Sequence, residues 1–318
     1  MEDCGLITDI RYRGNNTRRS LLMRRMKQYK YIYLMLIPVV AYYIIFHYSS
    51  FYYAVIAFEN FKPMKGIAGS RWVGMRNFEN FLTSVYAWRV IRNTLLLNLY
   101  QILFSFTSSI IFALMINQMM AKRYKGLIQT VTYMPHFISI VVVCGLLMEF
   151  SQSDSLFNDV LAFFGAERTS LLADPANFRS VYVGSDMWQN MGWGTIIYLA
   201  TLSGVDPSLH EAAAIDGAGR IRRIIHINLP AIMPVIVILL IMRVGNMMQM
   251  GYEKIILLYS PATYETADVI SSYVYRRGLY EMDYSYGAAV GLFNSVINLI
   301  ILIGANALSR RVTGNSLW

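Results

Sequence analysis

The chain has 318 residues, 56% of them hydrophobic and only 15% charged, with a positive mean hydropathy. Soluble domains carry about a quarter charged residues, so much of this surface is set against lipid. The net charge of +9 suits nucleic acid or an anionic membrane. No polar domain interleaves basic and exposed aromatic residues, which excludes nucleic acid as a partner and leaves the membrane.

Residues 1–30 hold eight Lys/Arg and no clean cleavage site before the first apolar run. They read as a basic cytoplasmic tail and not as a signal peptide. Within them, 18–30 has the pattern of a basic helix lying on anionic membrane lipid. A transmembrane helix takes about 20 mostly apolar residues, and six stretches qualify: 31–58, 93–116, 127–150, 181–202, 232–250 and 287–308. The fourth is the weakest, because Asp186, Gln189 and Asn190 interrupt it. The fifth is strongly apolar but contains Arg243. The expectation is an all-α membrane protein with a six-helix domain over 31–308 and a short cytoplasmic tail at 309–318.

Charge asymmetry sets the orientation. With the N-terminus inside, the inner segments carry 16 Lys/Arg and the outer ones 11, Arg243 lying within a span. Thirteen of the nineteen Asp/Glu fall on the outer side. Both termini are therefore expected in the cytoplasm. The outer segments 61–92 and 251–284 would face an extracytoplasmic partner; 61–67 is turn-rich, and 268–279 reads as a partly buried helix. No stretch outside the spans is long enough to bury a core of its own. No GxxxxGK[ST] phosphate loop occurs, so this chain is expected to hold no cofactor. If ATP drives it, ATP and Mg belong to another polypeptide. Cys4 and Cys144 form no disulfide or metal pattern. His47, His136, His210 and His226 are scattered and read as packed or interfacial side chains.

The segment 206–230, between the fourth and fifth spans, is the most informative. Asp206 is a good N-cap and Pro207 suits the first helical position. Residues 211–215 favour helix, and Gly217 can take the left-handed conformation that ends one. A second helical stretch at 218–228 follows, and Pro230 is expected to open the next membrane helix. Ala212, Ala213 and Ala214 present almost no side chain, so a partner can approach closely. Glu211 and Asp216 bracket them with negative charge, and Arg220, Arg222 and Arg223 suit phosphate headgroups or an acidic partner. On residue chemistry alone, an interfacial amphipathic loop without a partner stands beside a docking loop.

The run Glu211-Ala212-Ala213-x-x-Asp216-Gly217-Ala218, closed by Leu229-Pro230, resembles the EAA loop of ABC importer permeases. That resemblance implies coupling helices seated in a cleft of a cytoplasmic ATPase, with Glu211, Ala212, Ala213, Asp216, Gly217, Ala218 and Arg222 at the contact. Ile224 departs from the bulky aromatic found in many members. The segments Phe46-His47-Tyr48, Trp72-Val73-Gly74, Arg92-Asn93-Thr94, Met134-Pro135-His136-Phe137-Ile138-Ser139 and the run 268–276 are similar to the oligosaccharide and polysaccharide branch of that family. So is Ser316-Leu317-Trp318. Ser50 and Ser155 depart from the proline and glycine expected there. The resemblance implies a type I importer. Its partners would be a second homologous permease, two ATPase subunits, an extracytoplasmic binding protein and an oligosaccharide cargo.

Polar residues inside a membrane helix are costly and point to function. The fourth span offers Asp186, Trp188, Gln189, Asn190 and Trp193; the fifth offers Arg243, Asn246 and Gln249. Aromatic faces with planar hydrogen-bonding groups suit sugars. Resemblance to maltose-type permeases places Trp188, Asn190, Trp193, Arg243, Asn246, Met247 and Met250 on the translocation path, with Asp186 beside them. The bland alternatives are an interfacial Asp186, an aromatic belt at Trp188 and Trp193, and an Asn246 bridging two helices. Arg243 lies roughly 18 Å past Pro230 at 1.5 Å per residue. It suits either the carboxylate of an acidic cargo or an internal ion pair with Asp186 or Glu149. A non-sugar solute is the alternative cargo. An ion-coupled transporter would show inverted repeats, and a membrane enzyme would show a convergent catalytic set; neither is visible.

Overall fold

The computed structural model describes residues 28–165 and 167–314. The tail before residue 28, with most of the expected basic surface helix, and residues 315–318 lie outside the described residues. The chain divides into two units, Met1–Val55 and Ile56–Trp318. In the first, a single helix starts at Lys30 and runs on to Phe58 (α1), apolar over its whole length and loosened to a π-turn at Tyr43–Tyr48.

In the second unit, a two-residue antiparallel ladder pairs β1 (Glu59–Asn60) with β2 (Arg71–Trp72) across the expected turn-rich segment. Next come α2 (Arg76–Leu82) and α3 (Val85–Asn117). The span expected at 93–116 starts earlier, because Ser84 caps it: its Oγ accepts from the Ala87 amide at 3.2 Å.

The stretch expected as one span at 127–150 is two helices, α4 (Lys122–Phe137) and α5 (Ile140–Phe150), bent by 95°. Pro135 tightens the end of α4 into a 3₁₀ turn, Ile138 is extended, and Ser139 caps α5. A short α6 (Leu156–Phe163) follows. Then comes α7 (Pro175–Ser203), capped by Asp174, whose Oδ1 accepts from the Ala176 amide at 2.9 Å. At 29 residues α7 is long enough to span, but it is too polar to qualify by composition.

After α8 (Pro207–Ile215), the expected surface helix and fifth span prove to be one helix, α9 (Arg220–Gly245). Pro230 does not open a helix; it sits inside one. A proline lacks an amide hydrogen and crowds the preceding turn, and the wide π-turn Ile224–Asn228 just before it absorbs the misfit. The helix also stops at Gly245, five residues short of the expected end. Short helices α10 (Glu253–Leu258), α11 (Tyr264–Ala267) and α12 (270–280) lead to α13 (Tyr284–Thr313). Among the described residues, four helices are long and apolar enough to cross a membrane, or five with the bent pair taken as one span.

Against lipid, apolar burial gives little drive to helix association, so close approach and hydrogen bonds must supply it. The fold uses both. A Cβ added at Gly192 would lie 2.2 Å from the Thr132 carbonyl oxygen, which seats α7 directly on the backbone of α4. At Gly194 an added Cβ would lie 2.5 Å from the Ser109 side-chain hydroxyl of α3. One apolar core joins Ala113, Leu114, Tyr198, Leu202 and Ile232 of α3, α7 and α9. Others collect around Leu97, Phe178 and Ile255, and around Phe81, Met248 and Ile270.

Candidate functional site: a charged cavity and an exposed loop

On α7, Asp186, Gln189, Asn190 and Trp193 fall at i, i+3, i+4 and i+7, the spacing of one helix face. That face borders a cavity of about 280 Å³ whose wall also carries Asn98 and Gln101 of α3, Arg243 of α9, and Asn246, Gln249 and Met250 of the turn beyond it. Tyr182, Glu253 and Lys254 complete its polar lining. A neighbouring, more apolar cavity of about 520 Å³ shares Arg243 and Asn246 and adds Trp193, Phe106, Leu239 and Met242. Trp188, two residues from Asp186, is turned off that face and lines neither cavity; Met247 lines neither as well.

The helix break at 138–139 is built into the cavity wall. Asn190 donates from Nδ2 to Asp186 Oδ1 at 3.0 Å, and its Oδ1 lies 3.0 Å from His136 Nδ1. The His136 ring stacks on Trp193 with centroids 4.5 Å apart and planes 5° from parallel. Gln189 donates to the Ile138 carbonyl, which the break leaves without a helical partner, at 3.2 Å. His136 is thus a packed side chain, as its isolation in the sequence implied.

Arg243 sits in the last turn of α9, where the terminal carbonyls favour a cation. It pairs with neither Asp186 nor Glu149, which corrects both candidate ion pairs. Its Nη2 donates to Gln101 Oε1 at 3.1 Å. The turn that follows is held by α13: Asn298 Oδ1 accepts from the Met248 amide at 3.1 Å, its Nδ2 donates to the Gly245 carbonyl, and Asn294 Nδ2 donates to the Met248 carbonyl at 2.8 Å. Asn246, Gln249 and Met250 therefore reach the cavity from a pinned turn, not from the helix the sequence suggested. Gln101 and Asn98 were readable as polar residues in mid-span. Lys254, beyond the expected span, carried no such signal.

The Arg92-Asn93-Thr94 and 268–276 segments, both noted for their resemblance, form one clamp. Asp268 is fully buried and receives Arg276 at 2.6 Å, Arg89 at 3.4 Å and the Ser272 hydroxyl at 2.8 Å. Asn93 Nδ2 donates to the carbonyls of Glu265 and Asp268, while its Oδ1 accepts from Arg179 of α7 at 2.8 Å. Burial opposes the charge of Arg276, but the Asp268 carboxylate outweighs it and holds that guanidinium above its ordinary pKa.

Between α7 and α9 stands the exposed helix α8. Asp206 Oδ1 accepts from the Ser208 amide at 2.9 Å, and that hydrogen bond holds its carboxyl below the ordinary value. Gly217 has φ of 74°. The Ala218 amide reaches the Ala213 carbonyl at 2.8 Å, and the Gly217 amide reaches Ala214 at 3.1 Å. This pair of bonds closes the helix in a Schellman motif. Glu211, Ala212, Asp216, Gly217 and Arg222 are exposed, and Ala213 and Ala218 half-buried. Ile215, 88% exposed, projects between them.

Residues 105–314 match the family described as binding-protein-dependent transport system inner membrane component. The polygalacturonan/rhamnogalacturonan transport system permease protein YteP of Bacillus subtilis is 39% identical over 92% of both chains. Protein LplB of the same organism is 38% identical over 93% of both. A crystal structure of a bacterial ABC transporter involved in import of the acidic polysaccharide alginate superposes with a TM-score of 0.84 at 41% identity, covering 92% of this chain and 99% of that one. The alginate transporter bound to its pentasaccharide-loaded periplasmic protein gives 0.85 at 39% identity, covering 93% and 99%.

Proposed function

We infer the function from one premise: this chain belongs to the family of binding-protein-dependent transport system inner membrane components. It is a permease subunit of an ABC importer for sugars or polysaccharides, a transport protein and not an enzyme. We propose that its cargo is an acidic oligosaccharide handed over by an extracytoplasmic binding protein. We further propose that a second permease and a pair of ATPase subunits complete the importer, with six spans and both termini in the cytoplasm.

The observation that carries this reading is the connectivity of the site. Helices α7 and α9 line the charged cavity, and the loop joining them directly is the exposed α8–Gly217 turn. A push on α8 therefore moves the two path helices without an intermediary. ATP binding would close the ATPase pair, Glu211, Ala212, Ala213, Asp216, Gly217, Ala218 and Arg222 would carry that closure, and the cavity would open outward to the docked binding protein. Asp186, Asn190, Trp193, Arg243, Asn246 and Met250 are its path residues in this proposal. Trp188 and Met247, outside both cavities, would serve only through packing or a different state of the cycle. The Arg243 guanidinium, with one of five donors committed to Gln101, is suited to a bidentate grip on a uronate.

Reconstitution of the assembled importer in vesicles tests the reading. Arg243→Gln should lower uptake of an acidic oligosaccharide about tenfold and leave a neutral one nearly unchanged. Equal loss for both cargoes sinks the role given to Arg243.

A further inference from the structure

Lys254 is only 7% exposed and lines the same cavity as Arg243. Burying an ammonium is expensive unless its charge and its donors are matched. Here the match is partial. Nζ donates to the Tyr182 carbonyl at 3.3 Å and lies 4.8 Å from the centroid of the Tyr182 ring. Asp186 and Glu253 line the same cavity, but neither comes within ion-pair distance of Nζ, and Asp186 Oδ1 accepts from Asn190. An ammonium has three donors, and one is committed.

Arg243 is exposed where Lys254 is buried, but it too is held by a neutral amide with no acidic partner at contact distance. Two cations with uncommitted donors thus share one cavity. Both are fixed from behind, Lys254 by the backbone of α7 and Arg243 by α3. Side chains held in place in this way pay little ordering entropy when a ligand arrives.

We propose that Lys254 is a specificity residue of the translocation path, which supplies with Arg243 a two-point site for the carboxylates of a uronate oligosaccharide. This rests on the acidic-cargo reading above. Lys254 would hold one carboxylate through its free donors while Arg243 holds another, so charge, and not ring shape, would select the cargo.

The test uses the complete importer with its loaded binding protein in vesicles, given a uronate oligosaccharide or its methyl ester. Lys254→Met should raise the acidic cargo concentration for half-maximal uptake, or lower uptake at fixed concentration, by roughly ten- to a hundredfold. Lys254→Arg keeps the charge but brings a bulkier planar guanidinium over the Tyr182 ring, and should retain clearly more uptake than Lys254→Met. Elution and unfolding midpoint of each variant complex report assembly separately from transport. Wild-type uptake of the acid by Lys254→Met overturns the proposal. So does a Lys254→Arg complex that assembles normally yet fails as badly as Lys254→Met. Preference of the wild-type importer for the ester over the acid overturns instead the acidic-cargo reading on which it stands.

Discussion

Gly217 offers a clean perturbation, because its cost is set by the backbone alone. It adopts φ of 74°, and a Cβ added there would meet nothing within 4 Å. Substitution therefore creates no clash, and the penalty is the local one for an L-residue in the left-handed region, roughly 1–2 kcal/mol. Asn tolerates that region best, Ala less well, and a β-branched residue worst. At 1.4 kcal/mol per tenfold, the closed turn should become about 5- to 30-fold rarer with Val. Nothing in the buried cores changes, so the complex should still assemble. The assay is cargo imported per ATP hydrolysed in vesicles, across Gly217→Asn, Gly217→Ala and Gly217→Val. Import per ATP should fall in that order, with Val at a small fraction of wild type and hydrolysis continuing. Full coupling in Gly217→Val would refute both the claimed need for the left-handed turn and the loop's role as transmitter.

Two further outcomes follow from packing and charge. Gly192→Ala forces a Cβ to 2.2 Å from the Thr132 carbonyl oxygen. The helices must part by about 1 Å, the overpacking should cost on the order of 1–3 kcal/mol, and the unfolding midpoint should drop together with the Asn190–His136 contact; an unchanged midpoint contradicts the seating of α7 on α4. Asp268→Ala leaves Arg89 and Arg276 without their buried acid. A loss on the order of 3–5 kcal/mol is expected, read as failure of the membrane complex to survive detergent extraction, whereas substitution of the exposed Glu281, which pairs with Arg277 at the surface, should cost little.

The sequence by itself determined the membrane class, the capped shape of the α8 loop and the polar residues of α7. Apolar run length and charge deficit are one-dimensional quantities, and so is the order of cap, proline and glycine around α8. Asp206, Pro207 and Gly217 behave as their local chemistry requires because that loop is exposed and little else acts on it. Polarity inside an apolar stretch likewise singled out Asp186, Gln189 and Asn190, but it could not show that Trp188, chosen beside them, lines neither cavity.

Only the tertiary structure decided where helices break and which polar groups meet. A composition window sees apolar residues on both sides of Pro135–Ser139 and cannot register a 95° bend. Nor can it see that Asn294 and Asn298, far along the chain on α13, end α9 at Gly245 by taking up the backbone groups of the turn. The same holds for Gln101 beside Arg243, for the joining of the Asn93 and Asp268 segments, and for Lys254. Each depends on hydrogen bonds between residues distant in sequence. In a membrane, where apolar burial discriminates weakly between helix arrangements, such bonds and close glycine contacts fix which arrangement forms.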